Sequence, residues 1–133
     1  DVPILIAEDS PLLNKLIVDS LRGAGYHNLI HTENGQKAYD VICQCKDDGT
    51  LDEHVKLLIT DIEMPEMDGH HLTKLVKEDP DTANIPVVIF SSLVNEEMKR
   101  KGAALGADAQ LSKPEIGNLV RVVDGLVKQY DLD

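Results

Sequence analysis

Short apolar runs alternate strictly with helical patterns along this chain, and that alternation leaves few folds open. The runs are Val2–Ala7, Asn28–Thr32, Val55–Thr60, Ile85–Phe90 and Ala107–Leu111. Runs of this length that stay apolar and end at turn signals form strands covered on both faces. Between them come residues at helical spacing: Leu13, Leu16, Ile17 and Leu21; Ala38, Val41, Ile42 and Cys45; Leu72, Leu75 and Val76. A polar helix over Asn95–Ala104 and a last stripe of Leu119, Val122, Val123, Leu126, Val127 and Tyr130 complete the set. Strands that alternate with helices build βαβ units and a parallel sheet. The expectation is an α/β fold, a doubly wound sandwich of five strands and five helices in one domain spanning residues 1–133.

Local chemistry marks the joints. Ser10-Pro11 gives an N-cap followed by proline at the first helical position, and Gly23 and Gly25 end that helix. Asn34-Gly35 opens the second helix and Asp47-Asp48-Gly49 closes it, leaving a polar loop to about Glu53. Asp68-Gly69 starts the third helix and Asp79-Pro80 stops it.

Charge narrows the function classes. Acidic residues outnumber basic ones 24 to 13, for a net charge of −11. A general affinity for nucleic acid needs a basic patch, so that class is disfavoured, while a divalent cation or cationic partners are favoured. No apolar stretch approaches the roughly 18 residues of a membrane span, and no targeting segment is visible. Cys43 and Cys45 stand two apart in a helical pattern with no second pair to complete a zinc site; they are expected as reduced thiols, Cys45 in the core, which suits a cytoplasmic location. His27, His31, His70 and His71 are expected in solvated or capping roles. The chain begins without Met and is expected to be a piece excised from a longer one.

Every strand but the second ends in residues able to do polar chemistry: Glu8 and Asp9 after the first, Asp61 after the third, Ser91 after the fourth, Lys113 after the fifth. Strand tips of a parallel sheet emerge on one edge. The flavodoxin-like order 2-1-3-4-5 sets the first and third strands side by side at the switch point, where open sheets bind ligands. Three carboxylates gathered there repel one another, and Mg²⁺, a hard cation that takes carboxylate and phosphate oxygens, relieves the repulsion. Asp9 and Asp61 suit direct ligation and Glu8 ligation through water. Lys113 and the Ser91 hydroxyl suit phosphoryl oxygens, and Asp61 is chemically competent as a nucleophile. Singly, each residue also has an ordinary structural role: a helix-dipole carboxylate, a turn former, a cap or a solvated lysine. It is their placement at separate strand ends that points to a site.

The set resembles the receiver domain of two-component response regulators. The matching residues are Glu8-Asp9, Asp61 with Met64-Pro65-x-Met67-Asp68-Gly69, Ser91, and Lys113-Pro114; Asp61 to Ser91 is 30 positions and Ser91 to Lys113 is 22, as in CheY-like receivers. Phe90-Ser91-Ser92-Leu93-Val94-Asn95-Glu96-Glu97-Met98 and Gly106–Asn118 resemble, more narrowly, the receiver half of CheV chemotaxis proteins, in which a CheW-like domain comes first.

The resemblance implies a phosphorylation-controlled signalling module rather than a conventional enzyme. Asp61 is implied as the acceptor of a phosphoryl group from a CheA-type histidine kinase. Asp9, Asp61 and the Glu63 backbone carbonyl are implied as Mg²⁺ ligands supported by Glu8. Ser91 and Lys113 are implied at the phosphoryl group, with a chemoreceptor-coupling complex as the regulated partner. A phosphate sink and a Mg²⁺-dependent phosphohydrolase are the alternatives. Glu63, two residues past the acceptor, has two readings: a solvated loop carboxylate, or a group that pairs with Lys113 in the empty site or slows water attack. Many receivers place Tyr or Phe three residues before the lysine; here Gln110 stands there, and it is expected to report through hydrogen bonding at a partner interface, on the face built from Asn95–Ala104, Gln110 and the start of the last helix.

Overall fold

The computed structural model describes residues 1–92 and 95–133, with the Pro114 side chain left aside. Leu93 and Val94, part of the CheV-like stretch, lie outside the described residues. Five parallel strands form one sheet in the order β2-β1-β3-β4-β5. They are β1 (Ile4–Ala7), β2 (Leu29–Thr32), β3 (Leu57–Thr60), β4 (Val87–Ser91) and β5 (Ala109–Ser112). The helices are α1 (Pro11–Gly23), α2 (Gly35–Asp48), α3 (Leu51–His54), α4 (Gly69–Glu78), α5 (Glu96–Leu105) and α6 (Ile116–Tyr130), with a 3₁₀ turn at Lys113–Glu115.

Successive strand residues point to opposite faces, so each apolar run feeds two cores. Ile4 and Ile6 of β1, Leu57 and Ile59 of β3, and Val88 and Phe90 of β4 pack in a cluster with Ile17 and Leu21 of α1 and with Leu119, Val123 and Leu126 of α6. Leu5, Ala7, Leu58, Val87 and Ile89 point the other way, onto Ala38 and Ile42 of α2 and Leu72 and Val76 of α4. This two-sided burial explains why the strands show continuous apolar runs and not alternation. Caps hold the helix starts: Ser10 accepts from Leu13 N, Asn34 from Lys37 N, Asp68 from His71 N and Asn95 from Met98 N.

The structure corrects three expectations. There are six helices among the described residues and not five, because Leu51–His54 forms a single helical turn where a polar loop was expected. Its one apolar residue, Leu51, packs on the second cluster, and one residue cannot make a periodic signal. Tyr130 is exposed on the last helix; its hydroxyl donates to Asp108 at 2.5 Å. His70 is buried, not solvated; His31 is exposed as expected, and it also contacts the site described below. Cys43 and Cys45 are free, with Cys45 buried, as expected.

Candidate functional site

Strand register brings the acidic residues together. Ala7 pairs with Thr60, so the chains leave β1 and β3 side by side, and Asp61 N donates to Ala7 O at 3.0 Å. Glu8, Asp9 and Asp61 each offer a carboxylate oxygen, and these oxygens all lie within 4.8 Å of one another. Glu8 and Asp61 are buried, whereas Asp9 is exposed. The cleft above them has a volume of about 490 Å³; Asp9, Asp61, Glu63, Asp68, Ser92 and Lys113 line it.

Lys113 closes the site from β5. Its Nζ donates to Asp61 Oδ2 at 3.0 Å and lies 3.3 Å from Glu8 Oε1. Burial disfavours the Lys113 ammonium, but the Asp61 hydrogen bond and the charges of Asp61 and Glu8 outweigh burial and hold its pKa above the usual lysine value. The turn that presents Lys113 is fixed by Glu115, whose Oε1 accepts from Ser112 N at 3.0 Å and Ser112 Oγ at 2.6 Å. Asp61 Oδ1 accepts from Ile62 N at 2.7 Å, which sets the carboxylate's orientation.

Glu8 is the strained member. Its Oε2 accepts from Ser10 N at 3.1 Å, but Oε1, at ion-pair distance from Lys113, makes no hydrogen bond and is buried. Burial above all, then the Asp61 charge, push its carboxyl up to about 7 against the pull of the Ser10 amide and Lys113. His31 holds the Glu8 backbone: its Nε2 donates to Glu8 O at 2.8 Å. The sequence offered one sign of this, in that His31 precedes the last residue of the strand paired with β1.

The loop after Asp61 is built tightly. Met67 N donates to Pro65 O at 2.8 Å across Glu66, whose φ of 71° makes this a γ-turn with left-handed backbone. Gly69 N donates to Ile62 O at 2.8 Å, and a Cβ on Gly69 would stand 1.9 Å from Asp61 O. Only glycine lets α4 start this close to the acidic site.

The remaining expected residues take distinct places. Ser91 is fully buried at the end of β4, in register with Ser112, and Ser92 is the serine that lines the cleft. Glu63 is exposed at the rim, in line with the solvated reading, and among the described residues Lys113 takes Asp61 and Glu8 as its ion-pair partners. Gln110 turns toward α5: its Nε2 donates to Lys99 O at 2.9 Å, and its Oε1 lies so near Gly102 that a Cβ there would stand 2.4 Å away.

The family model of the response regulator receiver domain matches residues 4–124. The chain belongs to the response regulator receiver family. This receiver is 36% identical over 114 residues to a gliding motility regulatory protein of Myxococcus xanthus, a match covering 86% of the chain but only 14% of that relative. The receiver domain of a signal transduction histidine kinase from Syntrophus aciditrophicus superposes with a TM-score of 0.83 at 30% identity, covering 97% of this receiver and 92% of that chain. The Mn²⁺-bound form of response regulator Rcp1 superposes at 0.79 and 25% identity, covering 100% and 96%.

Receiver domains are signalling domains that take phosphate from histidine kinases and bind Mg²⁺ at an acidic pocket. The residues of this receiver fit such an ion. The buried Glu8 Oε1 lacks a hydrogen bond, and the clustered donors are all hard oxygens. No helix among the described residues is long and apolar enough to cross a membrane.

Proposed function

We propose that Asp61 is the phosphoacceptor of this receiver. The observation that carries the reading is the pairing of Asp61 Oδ2 with Lys113 Nζ at 3.0 Å beside a cluster of three carboxylates. An Asp61 carboxylate oxygen forms a bond to the phosphorus of a kinase phosphohistidine. The P–N bond breaks, and the imidazole, already protonated on its other ring nitrogen, leaves as the neutral ring. Phosphoryl transfer asks little covalent chemistry of the protein; positioning and charge neutralisation dominate. Lys113 contributes a fixed positive charge within reach of both the acceptor and the incoming oxygens. Asp9, Asp61 and the Glu63 carbonyl, with Glu8 in support, are the groups to hold Mg²⁺, which when bound supplies charge neutralisation at the phosphoryl oxygens. Ser91, buried beside β5 at the end of β4, is the group to turn toward the new phosphoryl charge. Gln110 then couples β5 to α5 through Lys99 O, so the face of α5 and β5 carries the output.

Incubation with a small phosphodonor and Mg²⁺, followed by intact mass, tests the reading. One added phosphoryl group is expected, absent without Mg²⁺ and in Asp61→Asn. No gain, even with phosphorylated cognate kinase, would overturn it.

A finer reading rests on the sequence resemblance over Phe90–Met98 and Gly106–Asn118. We propose on that basis that this receiver belongs to a CheV-like coupling protein, preceded by a CheW-like domain and phosphorylated by a CheA-type kinase in a cytoplasmic chemoreceptor complex, where it tunes coupling or drains phosphate from the kinase. Phosphotransfer from a CheA-type kinase markedly faster than from unrelated kinases is the expected outcome; equal rates would remove it.

A further inference from the structure

A second cleft opens between α4 and α5, on the other side of Asp68 from the acidic site. Its volume is about 370 Å³, and Asp68, His70, His71, Lys74, Lys101 and Leu105 line it. Small-ligand sites begin at about this size. Its character is opposite to that of a chain carrying a net charge of −11. Two ammonium groups and two imidazoles meet a single carboxylate, one oxygen of which, Asp68 Oδ1, already accepts from His71 N at 2.7 Å. Neither Lys74 nor Lys101 takes part in an ion pair among the described residues.

His70 is the observation that points to a ligand. The residue is only 3% exposed, and its Nε2 is buried without a hydrogen-bond partner. Buried side-chain nitrogens are ordinarily satisfied; this one belongs to a ring that lines the cleft, and a small turn of that ring would bring it to an occupant. Burial, and then the nearby Lys101 charge, hold the His70 pKa below the usual value, so the ring is neutral near pH 7 and can donate one N–H. The first turn of α4 adds the positive end of its dipole on the same side.

We propose that this cleft is a binding site for a small phosphate-bearing anion, such as a phosphate monoester, held by His70, Lys74 and Lys101. A tetrahedral phosphate presents oxygens in several directions, which matches donors from two helices better than a planar carboxylate does. Lysine ammoniums are compact phosphate-binding charges. The site is distinct from the Asp61 cleft, but Asp68 lines both, and an occupant would sit one residue from Gly69, which is packed against the Asp61 carbonyl.

The test uses inorganic phosphate as the probe, with no divalent cation and in the Asp61→Asn background, so that its outcome is independent of phosphorylation at Asp61. Histidine-ring NMR signals are followed at constant ionic strength, the His70 signal being assigned by its loss in His70→Gln. The expected result is a saturable shift of His70, with the midpoint raised at least tenfold in Lys74→Ala/Lys101→Ala. Both lysines are exposed, so the fold should tolerate that variant. Parallel titration with succinate is expected to shift the ring only at higher concentration. No saturable shift, an unchanged midpoint in the double variant, or tighter succinate binding would each overturn the proposal.

Discussion

Glu8 shows how a single residue can hold fold stability and function in opposition. Its carboxyl is raised from 4.5 to about 7, chiefly by burial. The folded state therefore binds the Glu8 proton more tightly than the unfolded chain does. Stability from this group is fully present below about pH 4.5 and is lost as pH rises through about 7. Without divalent cation, the unfolding free energy of the wild type relative to Glu8→Gln should fall on the order of 2–3 kcal/mol between about pH 5 and pH 8. Urea unfolding of both forms across that range measures it, and parallel curves would refute it. His70, whose pKa is shifted the other way, is present in both forms and cancels in the difference. At the same scale, the acidic trio and Lys113 were legible in the sequence because each falls where an apolar run stops. His31 and His70 were not. Whether a histidine near a strand end or a helix start is buried or bonded depends on what the tertiary fold lays beside it, and a lone polar residue carries no period.

Among the elements, α4 and α5 are anchored by opposite means. The start of α4 is locked to the acidic loop through Gly69, whose absent side chain leaves room for Asp61 O. Gly69→Ala should destabilise the fold by about 1–3 kcal/mol, the usual cost of overpacking, or more, because the obstructing atom is backbone. Gly125 provides the control: it is exposed within α6 and has open space around it. Gly125→Ala should stabilise by about 0.5–1 kcal/mol through helix propensity. Denaturant midpoints at equal m-values compare the two, and similar effects of one sign would sink the account. Helix α5 buries only Gly102, whereas α6 buries Leu119, Val123, Leu126 and Val127. Elements with little buried apolar area open most readily. Amide exchange should thus be faster in α5 than in α6, and Gln110→Ala, which removes the bond to Lys99 O, should accelerate α5 selectively. Uniform acceleration would argue against a local anchor. The succession of strands and main helices along the chain followed from the alternation of patterns, since buried strands and amphipathic helices carry their own periods, whereas the sheet order came from the flavodoxin-like fold that the alternation resembles. The turn at Leu51–His54 did not, because a single turn with one apolar residue has no period to read.

For the molecule as a whole, the acidic site concentrates an imbalance already present in the composition. With a net charge of −11, self-repulsion disfavours the compact state, and the acidic site adds three carboxylates whose oxygens lie within 4.8 Å of one another. Lys113 offsets only part of this, since one ammonium faces two buried carboxylates. A divalent cation that binds the folded chain and not the unfolded one adds stability as RT ln(1 + [L]/Kd). At ten times Kd that is about 1.4 kcal/mol, or roughly 3–6 °C in Tm for a domain of this size. General screening would act on all the surface charges and would be reproduced by monovalent salt. Site binding would not be, and it would depend on Asp9, which is exposed and makes no hydrogen bond or ion pair among the described residues. Thermal unfolding should therefore shift upward and saturate with Mg²⁺, shift little with NaCl of equal ionic strength, and lose most of the Mg²⁺ response in Asp9→Asn. Removal of Mg²⁺ by chelation should return the wild type to its starting Tm. An equal response to NaCl, or an undiminished one in Asp9→Asn, would mean that the carboxylate cluster is stabilised as part of the general surface charge and not as a site.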